Sequence, residues 1–304
     1  MRELLSRVEI PSAGGAGHLS LYREDLSGVY PGMVRYLLLY EGWGRTLSLF
    51  STNTYEYPPL LTVDAESAAW RAARDWEEAL RSAPDRLVPA AQAVHHPPEP
   101  AAGGVLVLQG SPRPDGTCAR LAMWAADAAR SAGRAVEVVF VHDLEIHPCI
   151  GCYQCYNTGE CTFDDDMTRL GPAIGGSSLL VVCSPVYTNT VPAGLKALID
   201  RAQAVHAHAA LLGEPVRGTR NGVLLAAAGR SGLKNFDCVR KVVGPFMENL
   251  GIRLTGEVLV DDLDRRRSVD FLPGLEGEVR RAVISSLPPA VIPEGKIRYC
   301  GQDL

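Results

Sequence analysis

Residues 104–304 read as an α/β domain built on a doubly wound, five-stranded parallel sheet, with residues 1–83 as a small α+β extension ahead of it. Two observations carry this. From Gly104 onward, short runs such as Val105–Gln109, Ser178–Ser184 and Gly222–Ala228 are apolar at almost every position, which suits strands buried on both faces. Helix-length segments stand between these runs, and strand–helix repeats specify a parallel sheet covered on both sides. A third observation sets the boundary. Residues 84–103 are Pro-rich, resist both helix and sheet, and read as an extended linker.

Within residues 1–83, Val34–Tyr40 and Arg45–Phe50 are strand-like, rich in Leu, Val and aromatics and broken by Gly42 and Gly44. Asp64 caps a helix running to about Arg81, with Trp70, Ala73, Trp76 and Leu80 on one face. At that spacing the tryptophans are core rather than a substrate cover. Pro84 stops the helix, and the segment packs on the rest of the chain or on a partner subunit. His95 and His96 lie in the linker, where a solvated pair is a weak metal site. Beyond it the expected order is strand Val105–Gln109, helix Thr117–Ala132, strand Ala135–Val141, a cysteine loop and strand Ser178–Ser184. A helix from Pro192 to about Val205 follows, then strand Gly222–Ala228, helix Phe236–Leu250, strand Ile252–Val260 and helix Leu275–Ser286. Five such units match a flavodoxin-like sheet, whose ligand sits beyond the carboxyl ends of the strands.

Composition limits the function classes. The chain has 304 residues, 46% of them apolar and 21% charged, and a net charge of −5. It can hold a large core, and without a Lys/Arg run it is a poor binder of nucleic acid or membrane surfaces. No run approaches the roughly 18 apolar residues of a membrane span. Residues 1–10 alternate charge and lack the apolar centre of a signal peptide. Cys118, Cys183, Cys238 and Cys300 are scattered singly, as in reducing compartments, so a cytoplasmic location is expected.

The chemistry collects in the loops after the strands. Cys149, Cys152 and Cys155 stand two residues apart, and Cys161 follows after five. Four thiolates in one continuous run suit an iron–sulfur cube. Zinc also takes four thiolates, but usually from two separated knuckles; a disulfide pair and a reactive thiol loop remain open. After the first strand, Gly110-Ser111-Pro112-Arg113-Pro114-Asp115-Gly116-Thr117 opens a helix, where free N–H groups, hydroxyls and one Arg suit a phosphate. It is neither a Walker loop nor Gly-x-Gly-x-x-Gly, and an ordinary βα turn is the bland reading. After the third strand, Pro185-Val186-Tyr187-Thr188-Asn189 offers a ring, hydroxyls and an amide suited to a flat heterocycle. Gly229 to Gly232, after the fourth, is flexible enough for close approach. All four loops are expected on one rim.

The Gly-Ser-Pro-Arg turn with Gly116 and Thr117, the Cys-x2-Cys-x2-Cys-x5-Cys loop ending in Asp165-Asp166-Met167, and Ser184-Pro185-Val186-Tyr187 followed by Leu195 to Arg201 together resemble the iron–sulfur flavoprotein family. That family lies within the NADPH-dependent FMN reductase group of flavodoxin-like proteins, and the resemblance covers about residues 104–260. It implies FMN held at the phosphate by Ser111, Arg113, Gly116 and Thr117. Pro185, Val186, Tyr187, Thr188 and Asn189 would border the ring, with Gly229 and Gly232 on its other side. Cys149, Cys152, Cys155 and Cys161 would ligate a 4Fe-4S cluster. Relatives are commonly dimers or tetramers in which flavin and cluster of neighbouring subunits come close, so a homodimer or homotetramer is expected. Two positions depart from the family, Asp115 and Cys118, and Asp115 has to point away from a phosphate.

The resemblance implies an oxidoreductase using FMN and one 4Fe-4S cluster, moving electrons between a small organic substrate and NAD(P)H or a ferredoxin-like carrier. Alternatives are a flavin-dependent dehydrogenase aromatising an aminodeoxyisochorismate-type cyclohexadiene, a non-catalytic electron-transfer flavoprotein, and a zinc-bearing regulatory module. The N-terminal extension argues against a carrier, which gains little from covering its flavin. No general base stands out: Tyr187 is a weak catalytic candidate, and His142 and His147 read as structural.

Overall fold

The computed structural model describes residues 2–11, 16–42, 45–57, 62–82, 104–212, 220–266 and 268–289. The linker with His95 and His96, and Cys300, lie outside the described residues. The described chain forms two sheets.

The first is an antiparallel meander of β1 (Arg2–Ile10), β2 (Gly17–Asp25), β3 (Val34–Gly42) and β4 (Arg45–Asn53), in that order. β3 and β4 were expected; β1 and β2 were not. Their polar residues mask the period. Ile10, Leu19 and Leu21 are buried, while Arg7, Glu9 and Arg23 lie between or beside them in the sequence. α1 (Ala65–Ser82) lies on this sheet, and the Ser67 N–H donates to Asp64 Oδ1 at 2.7 Å, the expected cap. Leu80 is buried and Trp70, Ala73 and Trp76 pack on the same core as Leu38 and Tyr40, so the tryptophans are structural.

The second sheet joins β5 (Val105–Gln109), β6 (Val136–Phe140), β7 (Leu179–Pro185), β8 (Arg220–Ala227) and β9 (Ile252–Val260) in the order β6-β5-β7-β8-β9. Every neighbouring pair is parallel, which is the flavodoxin-like doubly wound order. The helices are α2 (Thr117–Ser131), α3 (Cys155–Thr158), α4 (Met167–Gly176), α5 (Ala193–Arg201), α6 (Gln203–Leu212), α7 (Asp237–Asn249) and α8 (Leu275–Ser286). α2 and α8 cover one face around Val107, Val181 and Leu225. α4, α5 and α7 cover the other around Leu108, Val182 and Leu224. Burying each such side chain is worth about 1.5–3 kcal/mol. No helix among the described residues is long and apolar enough to cross a membrane.

Two helical expectations need correction. The single helix from Pro192 to Val205 is broken: α5 stops at Arg201 and α6 starts at Gln203. Ala202 has φ −63° and ψ −7°, a flattened turn, and its N–H still donates to Leu198 O at 2.9 Å. Neither Gly nor Pro marks the break. α4 was not expected, because Gly171, Pro172, Gly175 and Gly176 weaken its helical signal. Pro172 sits in the sixth position and Leu170 and Ile174 bury its apolar side, so packing overrides propensity.

Candidate functional site

In a parallel sheet the loops that follow the strands share one edge, so the turns after β5, β7 and β8 gather there. Gln109, the last residue of β5, is fully buried and organises the first turn. Its Oε1 accepts from the Ser111 N–H at 2.7 Å and its Nε2 donates to Arg113 O at 3.2 Å. The Arg113 N–H donates to Ser111 Oγ at 3.2 Å. Gly116 caps α2 with no side-chain acceptor, leaving the N–H groups of the first turn free for an anion. A Cβ at Gly116 would lie 3.0 Å from Arg113 Cβ, so a side chain there would press on Arg113 and ask it to shift by a few tenths of an ångström. Ser111 is buried, Gly116 and Thr117 half-buried, and Arg113 and Asp115 exposed. The sequence did not single out Gln109.

Across the edge, Pro185 and Val186 are half-buried and Tyr187, Thr188 and Asn189 exposed. Tyr187 and Thr190 exchange backbone hydrogen bonds of 2.8 and 3.0 Å around Thr188 (φ 44°) and Asn189 (φ 66°). Positive φ at both central residues is what a type I′ turn demands, and β-branched Thr188 is strained there. The Val186 N–H donates to Ala227 O at 2.8 Å, tying this loop to the end of β8. A Cβ at Gly229 would fall 2.3 Å from Asp264 Oδ1, so a larger residue there would displace the exposed Asp264 carboxylate; Gly232 has φ 108°.

The four clustered cysteines line one cavity of about 330 Å³, together with Tyr30, Tyr153, Tyr156, Phe163, Arg201 and Gln203. That volume lies at the small end of the ~300–1,000 Å³ range of ligand sites. Cys149 is exposed and Cys152, Cys155 and Cys161 are half-buried; all seven described cysteines are free thiols. Burial, reinforced by Cys161, Cys152 and Cys149 in turn, pushes the Cys155 thiol up to about 12. Among the described residues, no group of three or more His, Cys, Asp or Glu side chains is drawn tightly enough for a single metal ion. All four thiols line the same cavity, and four cysteines are a donor set of the kind an iron–sulfur cluster takes. None of the residues expected at the flavin lines this cavity. β6 is an edge strand, and the loop that follows it runs out to α5, α6 and the first sheet.

Behind the loop, Asp165 and Arg201 form a buried pair, their side chains 4% and 1% exposed. Arg201 donates to both Asp165 oxygens, at 2.6 and 2.9 Å, and to His147 O at 2.8 Å. Asp165 also accepts the His147 and Met167 N–H groups, each at 3.0 Å. Burial alone would raise the Asp165 carboxyl, but Arg201 and these N–H groups hold it below the usual range. Burial likewise lowers Arg201, and Asp165 followed by Cys161 outweighs it, leaving the guanidinium above its ordinary value. His147 stacks on Phe163 with ring centroids 5.1 Å apart. Arg201 Nε is buried and makes no hydrogen bond of ordinary geometry among the described residues.

The first sheet grips the same loop. Arg35, paired with Glu24 at 2.9 Å through Nε, donates Nη1 to the Tyr156 and Asn157 carbonyls at 3.2 and 3.1 Å. Asn53 Nδ2 donates to Tyr153 O at 3.2 Å and to Asn157 Oδ1 at 2.9 Å. Tyr30 meets Tyr55, Tyr153 and Tyr156 edge-on at 5.3, 5.8 and 5.5 Å. Met33, Tyr156 and Ala207 are buried together between the two halves. The 1–83 segment therefore packs on the chain's own cysteine loop. No local pattern marks Tyr30, Arg35 or Asn53 for this.

Fold and site together define a flavodoxin-like domain with a glycine-capped βα turn and a cysteine-rich loop. Residues 104–249 match the NADPH-dependent FMN reductase family. An iron–sulfur flavoprotein of Methanocaldococcus jannaschii is 32% identical over 128 residues, 42% of this chain and 64% of that protein. One from Methanosarcina thermophila is 34% identical over 95 residues, 31% of this chain and 50% of that protein. Among solved structures, an NAD(P)H:quinone oxidoreductase from Methanothermobacter marburgensis is 18% identical, with a TM-score of 0.47 over 61% of this chain and 95% of that one. The matches span about half to two-thirds of the two iron–sulfur relatives. The chain resembles the iron–sulfur flavoproteins, and its second sheet is NADPH-dependent FMN reductase-like.

Proposed function

We propose that this chain is an oxidoreductase that uses FMN and a 4Fe-4S cluster to move electrons between a small organic substrate and NAD(P)H or a protein carrier. The observation that carries the reading is the gathering of Cys149, Cys152, Cys155 and Cys161 on one cavity wall, in a domain whose first βα turn leaves the start of α2 without a side-chain cap, which suits an anion. When bound, the flavin accepts electrons in pairs and the cluster passes them singly. The chain's own residues bind and orient. Ser111, Arg113, Gly116 and Thr117 would hold the phosphate at the start of α2. Pro185, Val186, Tyr187, Thr188 and Asn189 would border the ring, and Gly229 and Gly232 would let backbone approach it. The four cysteines would give up their protons to hold the cluster. Tyr30 and Tyr153 restrict water at the cavity wall. Tyr187, the exposed hydroxyl of the ring loop, is the candidate to hold a proton near substrate. The protein is proposed to be cytoplasmic and to assemble with copies of itself.

Anaerobic purification followed by an absorption spectrum and iron, sulfide and flavin assays tests this. Bound FMN with about four iron atoms per chain is expected. A chain that stays colourless after incubation with iron, sulfide and FMN rules the proposal out. Cys161→Ser is expected to lose cluster absorbance while keeping the flavin.

A further inference from the structure

Another buried arginine of the protein shows what a saturated one looks like. Arg220 donates from Nε to Ser177 O at 3.0 Å and from Nη1 to Leu250 O at 2.8 Å, and its Nη2 reaches Ile174 O. Each of its three nitrogens is used. Arg201 differs. Its terminal nitrogens go to Asp165 and His147 O, and its Nε, cut off from water, makes no hydrogen bond of ordinary geometry among the described residues, while Cys161 is close enough to act on the guanidinium. The side chain forms part of the cavity wall that also carries Cys161. A buried donor without an acceptor is an unfavourable arrangement. It is maintained here by a bidentate carboxylate that fixes the guanidinium plane, and by Phe163, whose ring lies 5.1 Å from the guanidinium carbon.

Resting on the cluster reading above, the geometry points to Arg201 as a positioning residue that sets the cluster's reduction potential, with Nε–H reserved for sulfur on the Cys161 side of the cavity. A hydrogen bond from a cation to sulfur stabilises the more negative, reduced state more than the oxidised one. Asp165 opposes this, because its charge partly cancels that of the guanidinium. The two side chains therefore push the potential in opposite directions while bracing the same loop. That opposition separates an electrostatic role from a merely structural one.

The test is a potentiometric titration of the purified holoprotein, following the reduced cluster by electron paramagnetic resonance, with iron and sulfide measured in each sample. Arg201→Gln is expected to lower the midpoint enough to change the reduced-to-oxidised ratio tenfold at fixed potential, which is ~59 mV for a one-electron couple. Arg201→Lys, which keeps the charge without the Nε donor, is expected to shift less in the same direction. Asp165→Asn is expected to raise the midpoint. Unchanged midpoints in fully loaded Arg201 variants would overturn the assignment, as would shifts of one sign in all three variants. Loss of the cluster from both Arg201 variants would make the residue a brace only, which also overturns it. An unmodified protein without iron would instead sink the cluster reading, and that result comes before any variant is made.

Discussion

Individual residues carry much of the site's architecture. Gly110 closes the end of β5 against Leu195; a Cβ there would lie 2.5 Å from Leu195 Cδ2 and 3.1 Å from Cys183 O. Leu195 is fully buried and the carbonyl belongs to β7, so neither yields easily. Gly110→Ala is expected to lower stability by ~1–3 kcal/mol, as overpacking does, visible as a reduced urea midpoint. Thr188 offers the reverse case. Its positive φ costs on the order of 1–3 kcal/mol, more than the ~0.5–1 kcal/mol that glycine loses in entropy. Thr188→Gly is therefore expected to raise stability by about 1 kcal/mol, read as a higher urea midpoint, and to weaken flavin retention if the strained turn is shaped for the ring. Asp165 supplies a pH signature. A carboxyl held below its ordinary value adds stability that is complete above the usual carboxylate range and lost as pH falls through the folded value. Asp165→Asn strips the partner from a buried guanidinium and should cost ~3–5 kcal/mol at neutral pH. The gap to the unmodified protein should narrow below about pH 4, as denaturation curves across pH would record.

At the scale of elements, the joint between the first sheet and the cysteine loop takes one of the two packings the sequence left open, on the chain itself. Arg35 is 8% exposed and joins Glu24 to two loop carbonyls. Arg35→Ala leaves both carbonyls without this donor and Glu24 with Arg2 at 3.4 Å, a loss of ~1–3 kcal/mol, and amide exchange over residues 153–159 should quicken. The sequence foretold β5 through β9 because runs such as Val105–Gln109 are apolar throughout, and it foretold α1 because Asp64 is a local cap. It did not foretell β1 and β2. There the inward residues Ile10, Leu19 and Leu21 are interleaved with charges paired across strands, such as Arg23 with Glu3. The break at Ala202 was hidden for a different reason: nothing in its chemistry disfavours helix. The cysteines were legible as a local spacing, whereas Arg35, Asn53 and Tyr30 act across about a hundred residues of sequence, where no periodicity reaches.

For the molecule as a whole, loading of the cysteine loop should depend on proton release. With burial and its neighbours pushing the Cys155 thiol up to about 12, that donor keeps its proton at neutral pH. Iron and sulfide uptake by the stripped protein should accelerate from about pH 7 to pH 9 and acidify an unbuffered solution, which a pH electrode would follow. The grip of Arg35 and Tyr30 on residues 153–157 also has a bearing on biogenesis. On the ribosome, β1 to β4 emerge well before the thiols do, and early segments fold first. The nascent sheet would serve as a mould on which the later loop is cast, and maturation machinery would meet thiols already set in place.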